Sequence, residues 1–180
     1  MDLKNKFDYD LSNFIQNKNK DKNKKVLDIA CGNGDHSIFL AKEGWEVSSV
    51  DVKEQSFKKY KNIHYFKIDL ENCQQSFLMK PPFDVSYDLI IIFKYLNMPL
   101  LKKLPNYLKN NGIMICETFM EGNQKFGRPK NTDFLLKKNE LKKLSSNNLK
   151  LIMFKQGEKI NSGKTSMMQK AVFKKSRNHN

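Results

Sequence analysis

The chain has 180 residues, a formal net charge of +14, and 39% hydrophobic residues. That length predicts one domain large enough to bury a core, and no apolar run reaches the ~18 residues of a membrane span. The three cysteines, Cys31, Cys73 and Cys116, have no metal-site spacing and an odd count, which argues against a zinc site or a disulfide framework and for a reducing, cytoplasmic setting. The N-terminus is polar and lacks the apolar centre of a signal peptide. Only Arg128 and Arg177 are arginine among the 33 basic residues. Lysine spread this evenly, beside abundant asparagine, reads as compositional bias rather than a phosphate-binding surface.

In chain order, residues 1–24 form a polar extension in which Phe7, Leu11, Phe14 and Ile15 make a helical stripe. Strand Lys25–Ala30 then runs into a glycine loop and a helix over Asp35–Glu43, stopped by Gly44. Strand Glu46–Val50, a short helix near Glu54–Tyr60 and strand Ile63–Ile68 follow. A loop with Pro81-Pro82 precedes Tyr87–Phe93, whose almost unbroken apolar run predicts a central strand covered on both faces. Asn97 caps a helix expected to reach Lys109, with Pro99 in its first turn. Strand Ile113–Thr118, a Gly-rich connection over Phe119–Asp133, helix Lys137–Leu144 and strands near Leu149–Phe154 and Met167–Phe173 complete the pattern, the last two separated by a turn at Asn161-Ser162-Gly163. Such β-then-α alternation predicts an α/β, Rossmann-like, doubly wound sheet, with the domain over residues 25–175 and a tail at 176–180.

The chemistry concentrates at the strand ends. Val26-Leu27-Asp28-Ile29-Ala30-Cys31-Gly32-Asn33-Gly34 is a strand followed by a glycine loop at a helix N-terminus, and Asp51 ends the next strand about one helix later. This unit brings backbone N–H groups near an anionic group and a carboxylate within reach of a ribose diol. A dinucleotide fingerprint needs a third glycine where this chain has Ser37. The gap suits a nucleoside cofactor without a pyrophosphate, such as S-adenosylmethionine. Its amino-acid end would lie along the Cys31–Gly34 loop with Ala30 beside it, its ribose against Asp51 with Val52 alongside, and its adenine amine at Asp69 with Leu70 packing nearby. Asp28 either binds the cofactor's amino group, directly or through water, or orders the loop. Phe93 either packs on the cofactor or belongs to the core.

On these residues the chain resembles the class I S-adenosylmethionine-dependent methyltransferases. Residues 26–34, Val50-Asp51 and Phe66-Lys67-Ile68-Asp69-Leu70 match their first three motifs. Tyr95-Leu96, Pro99-Leu100, Glu117-Thr118-Phe119 and Gly122 through Pro129 are similar to the small bacterial-type members grouped with tellurite-resistance methyltransferases. The resemblance implies a seven-strand sheet with its last strand antiparallel and the cofactor over the C-terminal strand ends. The subgroup tends to carry Asn, His and Arg where this chain has Lys94, Asn97 and Met98, so the acceptor is open.

A small molecule or small anion is the expected acceptor, with Tyr95, Asn97, Glu117 and Arg128 as substrate-side candidates. Arg128 could hold an anion bidentately or pin its loop by a salt bridge to Glu117 or Glu121. No catalytic base is assigned, because an in-line displacement at a methyl group can rest on proximity and alignment. No metal site is expected. The alternatives are an RNA or protein methyltransferase, which charge gathered at the site mouth would favour, a non-catalytic cofactor-binding module, and an NAD-dependent oxidoreductase. The sequence leaves the oligomeric state open.

Overall fold

The computed structural model describes residues 24–57, 59–72, 83 and 86–176. The helical stripe over residues 7–15, the Pro81-Pro82 loop and most of the C-terminal tail lie outside those residues.

Seven strands form one sheet: β1 (Lys25–Ile29), β2 (Glu46–Asp51), β3 (Ile63–Lys67), β4 (Tyr87–Phe93), β5 (Leu108–Phe119), β6 (Leu149–Asn161) and β7 (Lys164–Lys175). Their order is β3-β2-β1-β4-β5-β7-β6. The pairs from β3 through β5 are parallel, and β7 runs antiparallel to both neighbours. This is the doubly wound sheet with a reversed last strand that the sequence and its resemblance imply. The chain order turns back beside β1, between β1 and β4, and a crevice opens there at the C-terminal strand ends.

Strand β4 shows why the sheet is covered on both faces. Leu89 and Ile91 enter one core with Val26, Leu40 and Trp45. Ile90 and Ile92 enter the other with Leu27, Ile29, Met114 and Phe173. All four β4 residues are 0% exposed, and each such side chain contributes about 1.5–3 kcal/mol of burial.

Helix α1 (Asp35–Lys42) follows β1. It closes at Gly44 as expected: the Gly44 and Trp45 N–H groups donate to the Ala41 and Leu40 carbonyls, with Gly44 at φ 82°, a Schellman stop. Three expected elements change. No helix forms among the described residues of 54–60, where Phe57 instead packs against Tyr65 at 5.7 Å between ring centroids. Helix α2 covers only Met98–Lys103, because Pro105 has no N–H to continue it; a 3₁₀ turn, Leu104–Tyr107, follows. The expected helix at 137–144 is a 3₁₀ turn over Glu140–Leu144, preceded by Asn139 at φ 60°. The terminal strands are longer than expected, and Ser162 and Gly163, at φ 47° and 75°, make a two-residue hairpin turn with both central residues left-handed. No helix among the described residues is long and apolar enough to cross a membrane.

Candidate functional site

The loop after β1 is held from β2. The Cys31 N–H donates to the Val50 carbonyl at 3.0 Å, and the Gly34 N–H to the Cys31 carbonyl at 2.9 Å. The Gly32 N–H donates to Asp51 Oδ2 at 2.8 Å, and Asp51 Oδ1 accepts from the Lys53 N–H at 3.0 Å. Asp51 is thereby fixed at the strand end. Each carboxylate oxygen has two acceptor positions, so the group can accept further hydrogen bonds from a diol.

Asp28 lies one layer deeper and is 2% exposed. Its Oδ2 accepts from Ser37 Oγ at 2.6 Å, and Ser37 Oγ also bonds Ser49 Oγ at 2.7 Å. Burial pushes the Asp28 carboxyl up to about 7; the Ser37 hydrogen bond opposes this and the Asp51 charge adds to it. Ser37, which occupies the third glycine position of a dinucleotide loop, thus ties α1 to the carboxyl group beneath the cleft.

A cavity of about 510 Å³ opens over these groups, lined by Asp28, Ala30–Asn33, Asp35, His36, Asp51, Phe93, Lys94, Tyr95, Glu117, Lys159 and Asn161. It gathers Asp28, Ala30, Cys31, Gly32, Asp51, Phe93, Tyr95 and Glu117 from the sequence-based candidates. Phe93 stacks on the His36 ring at 4.2 Å. The remaining candidates lie elsewhere. Gly34 is off the cavity wall, beneath Phe57; a Cβ there would come within 2.3 Å of that ring. Val52 is exposed, and Leu70 belongs to the core. Asp69 accepts from the Glu71 and Asn72 N–H groups and the Asn72 side chain, which hold its carboxyl below the usual range, Asn72 contributing most. Asn97 caps α2 through the Leu100 N–H at 3.0 Å. Arg128 lines a second, adjoining cavity and forms no ion pair with a described residue, Glu117 and Glu121 included.

Sequence reasoning missed the lysines. Glu117 is 1% exposed, and its Oε1 accepts from Lys159 Nζ at 2.5 Å while Oε2 lies 3.6 Å from Lys170 Nζ. Lys159 and Lys170 are 6% and 0% exposed. In a chain this rich in lysine, composition hides the two that fold toward Glu117.

A crevice at the C-terminal ends of β1, β2 and β4, with a glycine loop, a fixed acid and a buried acid, defines a nucleoside-cofactor domain of the doubly wound class. Residues 20–174 match the methyltransferase-domain family. The chain belongs to that family. Its fold is similar to TehB from Haemophilus influenzae, with a TM-score of 0.68 at 18% identity, covering 93% of this chain and 62% of that one. It is also similar to magnesium protoporphyrin IX methyltransferase from Synechocystis PCC 6803, solved with S-adenosylhomocysteine, with a TM-score of 0.65 at 14% identity over 93% and 81% of the two chains. An uncharacterised Schizosaccharomyces pombe protein, UNK4.09, is 23% identical over 162 residues, 67% of this chain and 48% of that protein. The chain thus spans about half the length of that relative.

Proposed function

We propose that this protein transfers the methyl group of S-adenosylmethionine to a small-molecule acceptor. The observation that carries the reading is the convergence of Asp28, Gly32 and Asp51 on one cavity at the strand ends. The donor set fits the cofactor: carboxylates for an ammonium and a ribose diol, and the N-terminus of α1 for a carboxylate. When bound, the cofactor supplies a methyl group on a sulfonium, whose departure leaves a neutral thioether. Asp51 would hold the ribose, Asp28 the ammonium, and the Ala30–Asn33 backbone the amino-acid end. Tyr95 and Glu117, on the side of β4 and β5, face the acceptor. Their work is alignment and water exclusion, worth ~7–11 kcal/mol for a well-oriented pair.

The similar magnesium protoporphyrin IX methyltransferase is named for a small-molecule acceptor, and such an acceptor is the reading favoured for this chain. Calorimetric titration of S-adenosylhomocysteine into wild type and Asp51→Ala tests the cofactor assignment. Affinity should fall at least ~10-fold in the variant, about 1.4 kcal/mol, with folding verified by circular dichroism. Equal affinities would refute the ribose role. Binding of NAD with no binding of S-adenosylhomocysteine would overturn the methyltransferase reading. Label from methyl-tritiated cofactor should appear in a small-molecule fraction of cell extract; binding without transfer to any fraction would mark a non-catalytic module.

A further inference from the structure

The two adjoining cavities have opposite charge. The cofactor cavity is lined by the carboxylates of Asp28, Asp35, Asp51 and Glu117. The second, of about 770 Å³, lies between β5, the β6–β7 hairpin and the loop through Arg128. Its lining includes Lys94, Lys125, Arg128, Lys159 and Lys164 and no aspartate or glutamate. Lys94, Lys159 and Asn161 line both cavities, so the two meet at Lys159. Four of the five cations are exposed. Lys159 is 6% exposed and oriented by Glu117, which makes it the inner end of the cavity. The outer wall is also built: buried Asn123 donates to the Arg128 carbonyl at 3.2 Å and accepts from the Met167 N–H at 3.1 Å, pinning the Arg128 loop to β7.

We propose that this second cavity is the acceptor subsite and that it selects a small acceptor bearing a carboxylate or phosphate-type anion. Arg128, Lys125 and Lys164 hold the anion, and Lys159 marks the junction where the acceptor meets the cofactor. The proposal rests on the methyltransferase reading for the identity of the occupant, but not for the anion site itself. A convergent cavity with its innermost cation buried suits a compact anion. A nucleic-acid strand places its phosphates along an exposed basic track, and a phosphate on it would not reach Lys159.

The test uses isotope-labelled full-length protein and nuclear magnetic resonance. Inorganic phosphate, and separately benzoate with benzamide as its neutral counterpart, are titrated with and without saturating S-adenosylhomocysteine. Phosphate and benzoate should shift the amides of Asn123–Arg128 and Gly163–Ser166 saturably, and benzamide should not. An Arg128→Gln/Lys164→Gln double variant should weaken that binding at least ~5-fold while binding S-adenosylhomocysteine within ~2-fold of wild type. Non-saturating shifts, equal shifts from benzamide, or an unchanged double variant would overturn the proposal. So would a single-stranded oligonucleotide that binds these segments more tightly than either small anion. Failure of S-adenosylhomocysteine to bind, with the phosphate shifts intact, would instead count against the methyltransferase reading alone.

Discussion

Asp28 combines burial with a proposed role that needs charge. With a folded pKa of about 7 against an ordinary value of 3.8, the folded protein holds a proton there that the unfolded chain has lost. Its contribution to stability is complete below pH ~4, falls as pH rises toward 7, and is gone above it. Asp28→Asn should remove that slope. Urea unfolding at pH 5 and pH 8 should show the variant gaining on wild type at pH 8 by on the order of 2–4 kcal/mol, and parallel behaviour of the two proteins would refute the burial argument. The same substitution should weaken S-adenosylhomocysteine about 10-fold at pH 8, where the wild-type carboxylate can meet an ammonium. Stability and binding thus oppose one another at this residue. Cys31 and Cys116 follow the same physics in the same direction. Burial pushes both thiols up to about 12, so fewer than about one in 10⁴ is ionised at pH 7.5. In a Cys73→Ser background, iodoacetamide should label neither in the native protein and both after unfolding.

Among the elements, the caps and the loop anchor decide how well the site is placed. Asn97 starts α2 and also reaches the Leu70 carbonyl at 3.4 Å. Asn97→Ala should cost about 1 kcal/mol, a typical cap loss, measurable as a shift in urea midpoint. Asn123 is 1% exposed and its replacement by alanine strands two backbone groups, so a loss of ~2–3 kcal/mol is expected. Limited proteolysis should then cut within 124–131 in the variant and spare wild type; protection of both would remove Asn123 from this role. Strand β6 lies at the sheet edge, where unpaired backbone groups invite association. Lys150 and Lys155 stand on it, and a register irregularity between Leu151 and Met153 further interrupts the ladder.

For the molecule as a whole, ligand linkage gives a direct measure. A ligand at 100 times its dissociation constant adds ~2.7 kcal/mol to a fold that alone binds it, so S-adenosylhomocysteine should raise the unfolding temperature by about 5–10 °C; no shift at saturation would contradict the cofactor site. The sheet was legible in the sequence because β4 is an almost unbroken apolar run, while Gly32 and Gly34 mark the end of β1 and Asp51 the end of β2. That Asp28 and Asp51 share one cavity was legible for the same reason. The helix expected at 54–60 does not form among its described residues, where Phe57 packs over Gly34 instead. The proposed acceptor side was less readable: Lys159 and Lys170 are identical in type to the many exposed lysines of the described residues, and only the pairing of β6 with β7 brings them to Glu117.

The β6–β7 hairpin closes in two residues, at Ser162 and Gly163, and its tip forms part of the basic cavity. The loop after β1, the proposed cofactor cradle, comes from the opposite half of the sheet. If that cavity is the acceptor subsite proposed above, insertions or exchanges at the hairpin tip would change which acceptor is admitted while the donor half is inherited intact. Under that assignment, substrate choice would drift on a turn of two residues, independently of the machinery that must stay fixed.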